Sequence, residues 1–292
     1  MRVTQSMIYD AANGSLSSQM AGLQSVTEQI SSSKRLNKPS DDPAAVRAAV
    51  GLNDSLSELN QYMRNIDTAT STLSAMDTAL GSAGNLIQRA NELAIQGANA
   101  SLSASDRQAI AAEVAQLTAA MAQDAGAKVG DNYVFSGFRV DRAPFLVTGP
   151  GQVGTYQGDQ GEAVARIGPA VTMQVSMAGD AVFQPAISAL TQLQADLNSG
   201  QAVQASTISQ ISGALQTLST AQATVGAREN RLTDAKSAQQ DMITSNQAML
   251  SQLEDVNMPA AITELTQRQT TYQASLAVTA KVMQTSLIDY LR

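Results

Sequence analysis

From Leu52 onward, apolar residues recur at alternating steps of four and three: Leu52, Leu56, Leu59, Met63 and Ile66, followed by Leu73, Leu80 and Ile87. Every seventh residue from Leu52 to Ala94 is apolar. A strict seven-residue repeat predicts a left-handed coiled-coil seam, because an ordinary helix face drifts away from that period. A helix over residues 44–97 would be roughly 80 Å long. A second helix is expected near Ser105, where Ser105-Asp106-Arg107-Gln108 reads as a capping box. It continues through Ile110, Val114, Leu117 and Met121. The same spacing returns in Ile211, Leu215, Leu218, Val225 and Leu232, then in Ile243, Leu250 and Leu253.

The two ends carry stripes of their own. Leu16, Met20, Leu23, Val26 and Ile30 fall on one helical face. So do Ile262, Leu265, Tyr272, Leu276, Met283, Leu287 and Tyr290. The two terminal helices, the first expected over about residues 5–33, would each be roughly 45 Å long. A solvated surface helix normally sets charges opposite its apolar stripe. Here the opposite face is Ser, Thr, Gln and Ala, which suits packing on all sides. The ends are therefore expected to pair with each other and then to bury against copies of themselves.

Proline and glycine divide the chain. No Pro falls between residues 44 and 143 or between 186 and 258, and a Pro in a helix interior costs about 3 kcal/mol. Glycines and aromatics concentrate in between, beside the short β-branched runs 163–167 and 170–175, which reads as a small β insert. The expected fold is mainly α, a long antiparallel coiled-coil or helical-bundle rod with paired terminal helices and a small β-rich insert. Its segments are an N-terminal helix over 1–38, half of the rod over 39–131 and the insert over 132–183. The second half of the rod then spans 184–256, and a C-terminal helix spans 257–292. At the first joint Pro39 ends one helix, Ser40, Asp41 and Asp42 offer caps, and Pro43 suits a first helical turn. The paired carboxylates are read as caps, not as a metal site.

Composition narrows the chemistry. There is no Cys, His or Trp among 292 residues, which removes the commonest nucleophilic, acid–base and transition-metal groups together. No catalytic, cofactor or metal residue is assigned, and an enzyme is not expected. The glycines of Gly149-Pro150-Gly151 lie among turns and do not precede a helix, so phosphate binding is unsupported. The net charge of −7 argues against nucleic acid. Residues 1–43 are balanced, 257–292 carry +1, and the middle carries −8. No run is apolar and long enough for membrane insertion. The polar N-terminus has no apolar h-region, so a cleaved signal is not expected.

Four stretches resemble the flagellin superfamily of axial proteins: Ser33-Lys34-Arg35-Leu36-Asn37-Lys38-Pro39-Ser40-Asp41-Asp42-Pro43, then 102–110, 225–232, and 255–265 with Asn257 and Pro259. They fall in order on a symmetric layout and resemble the family's two joints and the starts of its long helices. Within the superfamily, Met1-Arg2-Val3-Thr4 and Asn132-Tyr133-Val134-Phe135-Ser136-Gly137-Phe138 are more similar to the hook–filament junction subgroup than to filament subunits. Pro259 departs from the acidic residue or Ala more usual in the family, and fits a first helical turn.

The resemblance implies a structural subunit secreted through the flagellar type III export apparatus with an export chaperone. It would form a ring of copies of itself between the first hook-associated protein and flagellin. The striped residues of both ends would be the assembly interface. Pro39, Ser40, Asp41, Asp42, Pro43, Asn257 and Pro259 would form the domain joint. Two alternatives are a flagellin-type filament subunit and a non-flagellar helical signalling or adhesin stalk.

Overall fold

The computed structural model describes the backbone of residues 5–290 and the side chains of residue 7 and residues 9–281. The protein is mainly helical. Six helices appear among the described residues: α1 (Gln5–Ser32), α2 (Pro43–Gly97), α3 (Ala104–Ala125), α4 (Gly179–Asn198), α5 (Ala205–Glu254) and α6 (Met258–Tyr290). Between α3 and α4 lie β1 (Lys128–Val129), β2 (Asn132–Tyr133), β3 (Val147–Gly149), β4 (Gln152–Val153), β5 (Val164–Gly168) and β6 (Val171–Gln174). The chain forms two compact units, one of residues 59–241 and one of residues 1–58 with 242–292.

In the unit of residues 59–241, the seven-residue repeat becomes the core. Ile66, Leu73 and Ile87 are fully buried, as are Val114 and Met121 of α3 and Ile211 and Val225 of α5. Neutral and ionic contacts fix the register of α2 against α5: Gln222 Nε2 donates to Asp77 Oδ1 at 3.2 Å, and Lys236 Nζ to Asp67 Oδ1 at 2.7 Å. The strands make three separate antiparallel hairpins, β1–β2, β3–β4 and β5–β6. In the third, a bulge between Arg166 and Gly168 turns Ile167 into the core, where it is 2 % exposed. The hairpin is held from both sides: Asn65 Nδ2 of α2 donates to the Arg166 carbonyl at 2.8 Å, and Arg228 of α5 donates to Gln174 Oε1 at 2.6 Å and to the Ser176 carbonyl at 3.2 Å.

Three local expectations are corrected. The capping box begins at Ser103, not Ser105: Ser103 Oγ accepts the Asp106 amide at 3.2 Å, and Asp106 Oδ2 accepts the Ser103 amide at 3.2 Å. An acidic third residue closes the reciprocal pair, which the Gln108 reading would have placed too late. The hairpins start at Lys128, ahead of residue 132, and Gly179 already opens α4, so Phe183 and Pro185 are helical. Pro185 lies in the second turn, where it leaves only the Ala181 carbonyl without its helical donor. The buried face of Val182, Phe183, Ile187, Leu190 and Leu193 holds the helix across that gap. Finally, Pro39 does not end α1. That helix stops at Ser32, and Ser33 at φ 56° turns the chain away.

Candidate assembly interface

The unit of residues 1–58 and 242–292 contains both ends of the chain, and its joint explains how they meet. Ser33 takes the left-handed conformation common just past a helix C-terminus. The chain then runs antiparallel to the end of α5: Lys34 bridges Asp255, the Arg35 amide donates to the Glu254 carbonyl at 2.5 Å, and the Val256 amide donates to the Ser33 carbonyl at 3.2 Å. Side chains reinforce the bridge. Lys34 Nζ meets Glu254 Oε2 at 2.6 Å, Arg35 Nη2 donates to the Leu253 carbonyl at 2.9 Å, and Lys38 Nζ meets Glu28 Oε2 at 2.7 Å. The hydrogen bonds from Lys34 and Lys38 to these carboxylates raise both ammonium groups above the usual lysine value.

Each acidic or amide residue of the joint caps something. Asp41 Oδ2 accepts the Lys38 amide at 2.8 Å and the Asn37 amide at 3.1 Å, closing a turn through Pro39 and Ser40. Asp42 Oδ1 accepts the amides of Ala45 at 3.0 Å and Ala44 at 3.2 Å. That carboxylate caps α2 ahead of Pro43, and the Ala45 amide leads in holding it below the usual aspartate value. Asn257 Oδ1 accepts the Ala260 amide at 3.2 Å. It caps α6 and leaves Pro259 in the first turn, where no amide is needed.

Two helices held this way at their adjoining ends run back antiparallel, and α1 packs on α6. The pairing splits the predicted stripes. Val26 is buried, and Leu16, Leu23 and Ile30 of α1 and Leu265 and Tyr272 of α6 are half-buried. Met20, by contrast, is 43 % exposed, Ile262 51 % and Leu276 42 %. Met283, Leu287 and Tyr290 lie outside the residues whose side chains are described. The sequence reading missed several participants. Ala261 is buried in the seam, and Met7 and Val278 are exposed. Arg268 reaches across α1 at Gly22, held by two hydrogen bonds to Glu264 Oε1 at 2.8 and 2.6 Å. The seam residues Ala261, Leu265, Arg268, Tyr272, Ser275 and Thr279 step by four and three, a spacing visible in the sequence but masked there by the larger neighbours Ile262 and Leu276.

No group of three or more Asp and Glu positioned for a metal ion occurs among the described residues, and no helix among them is long and apolar enough to cross a membrane. Chemically, this region can pack, and it offers neither a nucleophile nor an acid–base pair. A family model for the bacterial flagellin N-terminal helical region matches residues 3–138, and one for the C-terminal helical region matches residues 208–291. Flagellar hook-associated protein 3 of Escherichia coli K12 is 25 % identical over 94 % of this chain and 95 % of its own length. Its Salmonella typhimurium counterpart is 28 % identical over 63 % of this chain and 57 % of its own. A Listeria monocytogenes flagellin is 25 % identical over 90 % and 89 %. Among solved structures, a hook-associated protein from Vibrio parahaemolyticus superposes with a TM-score of 0.63 at 21 % identity, over 74 % of this chain and all of that one. Hook-associated protein-3 from Legionella pneumophila also gives 0.63, at 18 % identity over 69 % and 98 %. With both halves of the flagellin helical framework matched in order and joined as the geometry requires, the chain belongs to the flagellin superfamily.

Proposed function

We propose that this chain is a structural subunit of the bacterial flagellum that forms the junction layer between hook and filament and templates flagellin assembly. One observation carries the assembly reading. The two ends pair with each other through Leu23, Val26, Leu265 and Tyr272, yet Met20, Ile262, Leu276 and Val278 stay in water. A two-helix pair covers one side of each helix, and apolar area left outside is stabilised only when a neighbour covers it. Similarity to hook-associated protein 3 over nearly the full length of both chains favours the junction over the filament.

In this reading residues 1–38 and 257–292 act as one terminal domain, and the joint at Pro39–Pro43 and Asn257–Pro259 sets how that domain leaves the rest. Residues 39–131 and 184–256 form the helical body, and the hairpins form the small insert. The partners are copies of the chain in a ring, the first hook-associated protein, flagellin, and an export chaperone with the type III export apparatus. The site is the extracellular flagellum, and the role is structural and not catalytic.

Deletion of the encoding gene tests this. The expected phenotype is hooks without filaments and flagellin monomers shed into the medium. Normal filaments in the deletion strain would overturn the reading. A filament subunit would instead polymerise into long tubes when purified, and electron microscopy of the concentrated protein distinguishes the two. A non-flagellar stalk would be produced and assembled unchanged in a strain lacking the flagellar export apparatus.

A further inference from the structure

The exposed surface of α6 is two-sided. At about 100° per residue, the seam facing α1 runs through Ala261, Leu265, Arg268 and Tyr272. Ile262 and Leu276 lie roughly 60–100° to one side of it and project large branched side chains, 51 % and 42 % exposed. On the other side, roughly 80–140° away, stand Ala260, Gln267, Thr271 and Ala274, all exposed. That second side is concave. A groove of about 900 Å³ runs from Pro259 to Thr271 beside Gln19, and a second of about 370 Å³ runs from Thr271 to Thr279 beside Ser15. The two share Thr271, so they form one trough along the helix pair.

We infer that α6 is the two halves of one head-to-tail contact, with the Ile262–Leu276 ridge of one copy seated in the Ala260–Ala274 trough of the next. This rests on the reading of the chain as a self-assembling subunit and specifies the symmetry of that assembly. Three observations choose a second copy as the occupant. Ridge and trough are carried by the same helix, so every copy brings both parts. Ile262 and Leu276 are two heptads apart, which matches a straight trough lined at steps of four and three by Ala260, Glu264, Gln267, Thr271 and Ala274. The trough's only charged groups, Glu264 and Arg268, are paired with each other at 2.6 Å, and the segments around them are nearly neutral. Copies that each carry −7 overall therefore meet where they repel least. A ridge on one side and a trough on the other cannot satisfy each other by a two-fold rotation. Such a surface adds copies in one direction, into a ring or a helical array.

The absence of native Cys makes the test direct. Ile262→Cys and Ala274→Cys are introduced into the full chain, singly and together, in cells lacking the native copy, and intact flagella are oxidised. Residues 262 and 274 lie on opposite sides of one helix, roughly 18 Å apart along it, so a bridge between them must join two copies. The double variant is expected to give a ladder of crosslinked multimers, each single variant alone only monomer, and a mixture of the two singles a dimer. Leu276→Cys paired with Thr263→Cys or Thr271→Cys covers neighbouring registers. A dimer formed by Ile262→Cys alone would show a two-fold contact and overturn the inference. So would monomer from every pair in motile cells, since motility shows that the subunit reading stands while this contact does not.

Discussion

Gly22 of α1 lies directly beneath the guanidinium of Arg268 of α6: a Cβ at residue 22 would stand 2.2 Å from Arg268 Nη1 and 3.3 Å from Cζ. The contact lets an arginine lie across the partner helix while Glu264 holds it. Its blocker would be the flexible end of a long side chain, which can move. Replacing Gly by Ala in a helix interior gains about 0.5–1 kcal/mol, whereas an exposed ion pair of this kind contributes about 0.3–0.5 kcal/mol. Gly22→Ala should therefore increase amide protection of α1 in hydrogen exchange, with Arg268 displaced. Reduced protection in both α1 and α6 would show that the arginine seat matters more than helix propensity.

The box at the start of α3 should respond to both mutation and acid. Ser103→Ala removes the cap and should cost about 1 kcal/mol, read as a lower midpoint in urea unfolding. The Ser103 hydroxyl, followed by its amide, holds Asp106 below its ordinary value of 3.8. A depressed carboxylate contributes stability above the unfolded value that is lost as pH falls through the folded one. The difference between wild type and Ser103→Ala should therefore be full at pH 7 and shrink below about pH 3.8. A difference that stays constant down to pH 2 would contradict this account.

Asp124 runs in the opposite sense. Burial holds its carboxyl above 3.8, offset in part by a hydrogen bond with Ser82, and its Oδ2 is buried with no partner. The ionised form is penalised in the folded chain alone. Stability is therefore complete below the unfolded value, falls as pH rises toward the folded value, and stays lower above it. Asp124→Asn should raise the melting temperature at pH 7 and leave it unchanged below about pH 3.5. A melting temperature at pH 7 no higher than that of wild type would refute the assignment.

Arg107 is 4 % exposed and faces carbonyls instead of a carboxylate: Nη1 donates to Gln201 at 2.6 Å and Gly97 at 3.2 Å, and Nη2 to Asn99 at 3.2 Å. It ties the turn after α2 to the turn before α5, and its charge lies near the carbonyl end of the α2 dipole. Arg107→Met should cost about 2–4 kcal/mol, since three buried acceptors lose their donor. Arg107→Lys should fall between, because a lysine cannot span the same fork. Equal denaturant midpoints for all three proteins would leave the arginine without a structural role.

Most of the fold was legible because its main signals are local. The repeat from Leu52 to Ala94, the proline-free spans and the capping residues Asp42 and Asn257 act within a turn or two of their own position. Errors arose where distant groups decide. Ser33 ends α1 ahead of Pro39 because the chain must reach the bridge to Asp255. Pro185 is tolerated inside α4 because Phe183 packs edge-on against Phe135, with ring centroids 4.8 Å apart. Phe138 sits outside any core at 66 % exposure, where Asp159 Oδ1 accepts its amide and that of Gly161, each at 2.8 Å. Sequence separation hides that pairing.

The amino-acid sequence by itself determined a mainly helical chain, the places where each long helix starts, and ends too poorly charged to be ordinary tails, because periodicity, proline geometry and capping depend on near neighbours. Only the tertiary structure decided which half of each terminal stripe turns inward. A helix presents every side of its stripe equally until a partner at a definite crossing covers one of them. In this molecule α1 covers Leu265 and Tyr272 and leaves Ile262 and Leu276 outside.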